Sequence, residues 1–234
     1  MERDTLHPTY GTILAVAKIS RLYSEATTRL ESWTKKSTYP AVKRSSMISI
    51  IDEAMQLQAD LTSWANSLPQ AVGTRYITTA DGHLLIVHSS RWLGSVWSMY
   101  LSTLILFYSK VMSCCQVILD TDCDESAAKV DQVRAAAALA EKSVVELVGT
   151  ICGGIPYLLG HVDEDGQPRK SPGQKASILY NMVWPLAVVR RCRFSSESQV
   201  RECGESLGYI GALYGLNLAY NAELVIAEAM GGIL

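Results

Sequence analysis

Apolar residues recur at every third or fourth position along almost the whole chain, while the strict alternation of a half-buried strand hardly occurs. This pattern predicts an all-α protein, a single bundle of about seven helices in one domain spanning residues 1–234. Ile13, Ala17, Leu22, Ala26, Leu30 and Trp33 form the inner stripe of a first helix, about Tyr10 to Lys36. Ile48, Ile51, Met55, Leu57, Leu61 and Trp64 do the same for a second, about Ser45 to Leu68, which Pro69 ends.

A turn-rich link from Gln70 to Gly82 follows, with a short extended segment expected at Arg75 to Thr78. The third helix is the long one, near His88 to Leu119, with Ser89 or Ser90 as N-cap. A fourth is expected from about Ser126 to Thr150, stopped by Gly153-Gly154 and Pro156. The polar stretch from His161 to Gln174 reads as an exposed loop. A fifth helix, Lys175 to Arg193, carries Pro185 in its interior, so a kink or break is expected near Met182. A short helix near Ser195 to Leu207 and a last one near Tyr209 to Met230 complete the set.

Composition narrows the function. Across 234 residues the apolar share is 48% and the charged share 19%, enough to bury a large core. A net charge of -2 gives no long-range attraction to a polyanion, so direct nucleic-acid binding is not expected. The opening Met1-Glu-Arg-Asp-Thr-Leu-His-Pro8 lacks an apolar run, which suggests an intracellular chain, cytoplasmic or, for a regulator, nuclear. The 18 uncharged residues from Trp92 to Ser109 reach the lower limit for a membrane span. Six of them are Ser, Thr or Gly, and a buried core helix is the expectation. The six cysteines have no paired metal-ligand spacing and are read as buried free thiols.

No phosphate loop, dinucleotide fingerprint, nucleophile elbow or His-Glu-x-x-His motif occurs, so neither a metal nor a cofactor is expected. The acidic run from Asp120 to Glu125 lacks the glycine and the bidentate Glu of an EF-hand. His83, His88 and His161 are the imidazoles able to act near neutral pH. The aromatics are more suggestive: Trp92, Trp97, Tyr100 and Tyr108 crowd the third helix, and Tyr157, Tyr180 and Trp184 flank two apolar strings further on. Either they fill the core or they line a cavity suited to a flat apolar ligand, with His88, Tyr100 and Tyr180 as candidate catalytic donors.

Four short motifs carry a family resemblance: Leu61-Thr-Ser-Trp-Ala-Asn-Ser-Leu-Pro69, Trp97-Ser-Met-Tyr100, Ile155-Pro-Tyr-Leu-Leu-Gly160 and Trp184-Pro-Leu186. In order and approximate spacing they resemble the fungal-specific transcription factor domain, which follows a zinc binuclear cluster in fungal regulators. The resemblance implies an all-helical domain concerned with regulation, effector sensing or dimer contact. Two departures stand out. No Cys-x2-Cys-x6-Cys array is present, the first cysteine being Cys114, and Leu101 follows Tyr100 where the family is expected to carry an arginine.

Two functions remain in view. One is a cofactor-independent cyclase of fungal secondary metabolism, a Diels-Alderase-like enzyme that holds an apolar terpenoid or polyketide in a near-attack conformer. The other is a ligand-sensing or dimerising regulatory domain that acts through a homodimer or a partner regulator.

Overall fold

The computed structural model describes residues 8–34, 40–67, 74–79, 82, 84–121, 126–170 and 175–215. Six helices and one hairpin lie among them, in the order α1 (Pro8–Thr34), α2 (Pro40–Asn66), β1 (Thr74–Thr78), β2 (Leu84–His88), α3 (Arg91–Leu119), α4 (Ala127–Leu158), α5 (Ala176–Arg191) and α6 (Glu197–Tyr214). The fold is mostly helical, as the periodicity predicts, with six helices rather than about seven among the described residues. His83, Cys123 and most of the expected last helix lie outside those residues.

The chain divides into two compact units, residues 1–68 with 106–144 and residues 69–105 with 145–234. In the first unit α1 buries Ala15, Ile19, Leu22 and Ala26, whereas Ala17 is exposed, one helical step away from the stripe expected for it. Facing residues of α2 bury Met47, Ile50, Ile51, Ala54, Leu57 and Leu61. The pair is cross-tied by Arg29 Nη1, which donates to the Ser46 carbonyl at 3.0 Å, and by an Arg21–Glu53 ion pair. Buried Lys110 places its ammonium 5.3 Å from the Tyr23 ring centroid, and burial lowers its pKa.

The second unit contains the hairpin. Thr74 to Thr78 pairs antiparallel with Leu84 to His88, so the expected extended segment at Arg75 to Thr78 is one half of a two-stranded sheet. Its partner β2 occupies the residues between the link expected to end at Gly82 and the helix expected from near His88, and takes His88 itself into the strand. Leu85, Ile86, Val87 and His88 are all buried, and a continuous apolar run gives no alternation to recognise. After the strand, Ser90 Oγ accepts the Leu93 amide at 3.2 Å and caps α3. Among the described residues α3 is long and apolar enough to cross a membrane, and 67% of its most apolar 18-residue stretch is buried.

Three helix boundaries differ from expectation. α4 does not stop at Thr150 but runs through Gly153-Gly154 and Pro156 to Leu158. It ends at Gly160, whose φ of 76° permits a Schellman turn: Gly160 N–H donates to the Tyr157 carbonyl (3.0 Å) and His161 N–H to the Pro156 carbonyl (2.9 Å). α5 is unbroken from Ala176 to Arg191 despite Pro185, with Leu179, Met182, Val183 and Leu186 to Val189 buried around it. The two helices expected on either side of Gly208 are one, because Cys203, Leu207, Ile210 and Gly211 continue a single buried stripe. α6 begins with a capping box, in which Ser196 Oγ accepts the Gln199 amide and Gln199 Oε1 accepts the Ser196 amide.

Candidate functional site

A cleft of about 640 Å³ opens in the second unit. One face of α4 supplies Gly149, Cys152, Gly153 and Pro156, spaced three and four apart so that they share a side of the helix. Of these, Gly149 leaves space open. A Cβ placed on Gly149 would meet no atom within 4 Å. Leu84 and Leu85 of the hairpin, with Val162, extend the apolar surface, and Thr79 stands beside them. α6 lines the cleft with Ser198, Gln199, Arg201, Glu202 and Glu205. The result is an apolar floor facing a polar wall, within the volume range of small-molecule sites.

At Gly153, on the edge of the cleft, the same helix is packed tightly against the hairpin. A Cβ on Gly153 would lie 3.0 Å from the Leu84 carbonyl oxygen and 3.0 Å from Ile86 Cγ1, so the hairpin approaches α4 where the side chain is missing. Tyr157 is buried, and its hydroxyl donates to the His88 carbonyl at 2.9 Å. Arg91 lies over the Tyr157 ring at 5.1 Å and donates through Nε to the Tyr157 carbonyl (2.9 Å) and through Nη2 to the Val162 carbonyl (3.0 Å). The Arg91 cation thus satisfies one carbonyl in the last turn of α4 and one in the loop that follows it. The following loop is closed on itself: Asp163 Oδ1 accepts the amides of Asp165 (2.9 Å) and Gln167 (2.8 Å), bonds that lower its pKa. Arg75 Nη2 donates to the Glu164 carbonyl at 2.7 Å.

The residues expected from the sequence to form a site lie elsewhere. None of His88, Trp92, Trp97, Tyr100, Tyr108, Tyr157, Tyr180 and Trp184 lines this cleft. His88 is a packed strand residue: Nδ1 is 3.4 Å from Thr74 Oγ1, and burial lowers its pKa to about 4. Trp97 and Tyr100 pack together at a centroid distance of 5.0 Å, with Tyr100 buried. Trp92 and Tyr180 are exposed at 47% and 55%, and Trp184 is partly buried. Tyr108 belongs to the first unit, buried beside Phe107 at 5.4 Å, and burial raises its pKa. His161 makes an edge-to-face contact with Tyr209 at 5.5 Å.

A second, more open cavity of about 590 Å³ lies in the first unit, between α2 (Met55, Gln58, Ala59, Thr62, Ser63, Asn66) and Leu139 of α4. None of the expected aromatics lines it either. Among the described residues no three His, Cys, Asp or Glu side chains gather as metal ligands would.

What sequence reasoning misses is the glycine face of α4. Gly149 and Gly153 stand four apart, the spacing that places both on one side of a helix, but Gly153-Gly154 reads as a stop when taken alone. Comparison with models of known families yields no match, and neither curated proteins nor solved structures provide one.

Proposed function

We propose that the second unit is a small-molecule binding module that takes an amphiphilic ligand in the α4–hairpin–α6 cleft, and that the chain works as an effector-sensing regulatory domain. The observation that carries this reading is the cleft itself, with its Leu84, Leu85, Pro156 and Val162 floor and its α6 wall of Ser198, Gln199, Arg201, Glu202 and Glu205. A ring system or short chain rests on the floor and turns its hydrogen-bonding groups toward α6. The four short motifs, whose order resembles that of fungal regulatory domains, fit sensing. In this reading the output passes to a second copy or to a partner regulator, with no direct contact to nucleic acid.

Cofactor-free cyclisation of an apolar intermediate would use the same cleft, since holding a reactive chain in a near-attack geometry needs shape above all. His88, Tyr100 and Tyr180, the expected polarising groups, stand outside the cleft lining, which favours sensing over catalysis.

The test is a fluorescence titration with Nile red, a neutral polarity-sensitive dye. The expected result is saturable binding that Gly149→Phe weakens by at least about tenfold, or about 1.4 kcal/mol, because the new ring occupies open space. Equal dye affinity for the wild type and Gly149→Phe would refute the assignment. Conversion of a supplied intermediate to a cyclised product in this cleft would establish catalysis instead.

A further inference from the structure

The α6 wall of the cleft consists of Ser198, Gln199, Arg201, Glu202 and Glu205, and three of these are already engaged. Ser198 Oγ lies 2.9 Å from Ser196 Oγ, and Gln199 Oε1 accepts the Ser196 amide in the capping box. Glu202 has a partner of its own. Arg201 and Glu205 remain. They stand one helical turn apart, with about 5–6 Å between their Cβ atoms. Among the described residues, however, neither makes an ion pair or a side-chain hydrogen bond, with the other or with any third group. A basic residue one turn before an acidic one is the weaker order on a helix, and both side chains are exposed, so little is lost by leaving them apart.

We propose that the cleft takes a zwitterion, a small molecule that carries a free carboxylate and a free ammonium on one apolar body, as an apolar amino acid or dipeptide does. Arg201 receives the carboxylate, two N–H groups of its guanidinium meeting the two oxygens. Glu205 accepts the ammonium, and the apolar body rests on Leu84, Leu85, Pro156 and Val162. Charge complementarity selects this class. A ligand with a single charge would cover the opposite charge of the wall with apolar surface and leave it unpaired, which costs affinity. A zwitterion satisfies both. This inference rests on the cleft being a ligand site and adds the chemical class of the ligand.

The experiment is calorimetric titration of the full chain with four probes: phenylalanine, the dipeptide leucyl-phenylalanine, its N-acetyl derivative, which lacks the ammonium, and its C-terminal amide, which lacks the carboxylate. The dipeptide is expected to bind about fivefold more tightly than either blocked form. Arg201→Gln should abolish its advantage over the amide, and Glu205→Gln its advantage over the N-acetyl form. The tighter of the two zwitterions marks the charge separation the site prefers. Equal affinity for the dipeptide and its blocked forms, or a preference that persists in both variants, would overturn the proposal. Nile red carries neither charge, so the two readings separate. Dye binding sensitive to Gly149→Phe, together with indifference to the blocked termini, would remove the zwitterion and leave the ligand site standing; loss of both would remove the site.

Discussion

Gly149 and Gly153 stand one turn apart on α4 and face opposite circumstances. At Gly149 an added methyl meets nothing, and at Gly153 it meets a strand carbonyl and Ile86 at 3.0 Å. The same residue type serves an open cleft at one position and a close helix–strand approach at the other. Around Gly153 the packing is continuous through Ile86, His88, Gly94, Leu158 and Tyr157, and little of it can shift independently. Around Gly149 the helix is lined by space. Ligand capacity and rigidity are thus built side by side, and substitutions can separate them.

The packed side breaks hardest at Gly94. A Cβ there falls 2.6 Å from His88 Cδ2 and 2.7 Å from Leu158 Cδ2, both on buried side chains. Gly94→Ala is expected to destabilise the protein by about 3 kcal/mol, the upper part of the range for overpacked cores, as read by urea unfolding. An unchanged midpoint would mean that the junction yields more readily than its contacts indicate.

His88 supplies a pH signature for the same junction. Its folded-state pKa of about 4 lies below the ordinary 6.5 because burial disfavours the imidazolium. Above pH 6.5 the ring is neutral in both states and its contribution to stability is fully present. As the pH falls, the unfolded chain gains the proton first, so stability declines until about pH 4 and then levels off. The loss amounts to at most about 3.4 kcal/mol. His88→Gln should flatten that decline relative to the wild type in unfolding curves between pH 8 and pH 4; parallel curves would place the ring in water.

Tyr157→Phe is the milder test. It leaves the ring beneath Arg91 but removes the hydroxyl that satisfies the His88 carbonyl. The expected cost is about 1–2 kcal/mol with dye binding intact. On the open side the sign reverses: Gly149→Ala should stabilise by about 0.5–1 kcal/mol, since alanine favours the helix and nothing obstructs it. A fall in Tm for Gly149→Ala would show that the cleft is filled.

The sequence was most informative where one face of an element is wet. The Ser90 cap, the extended segment at Arg75 to Thr78 and part of the α1 and α2 stripes (Leu22, Ala26, Ile51, Leu57 and Leu61) follow from periodicity and turn chemistry, whereas Leu30, Trp33, Ile48, Met55 and Trp64 are only half-buried, Ala17 is exposed, and the Ile13 side chain lies outside those described. β2 escaped because Leu85 to His88 are buried in succession, which removes the alternation that marks a strand. α4 and α6 outran their expected ends because burial holds helix through glycines that would end an exposed one. The candidate site was illegible for a related reason. Large aromatics attract attention by size, and Tyr100, Tyr108 and Tyr157 spend that size on packing. A cleft made by missing side chains leaves only glycines in the sequence.

Hydrogen–deuterium exchange with and without saturating Nile red locates the bound molecule most directly. The account predicts that protection gained on binding is concentrated in residues 149–156 and 198–205, on the two helices that line the cleft. Protection concentrated in residues 55–66, which line the cavity of the first unit, would contradict it.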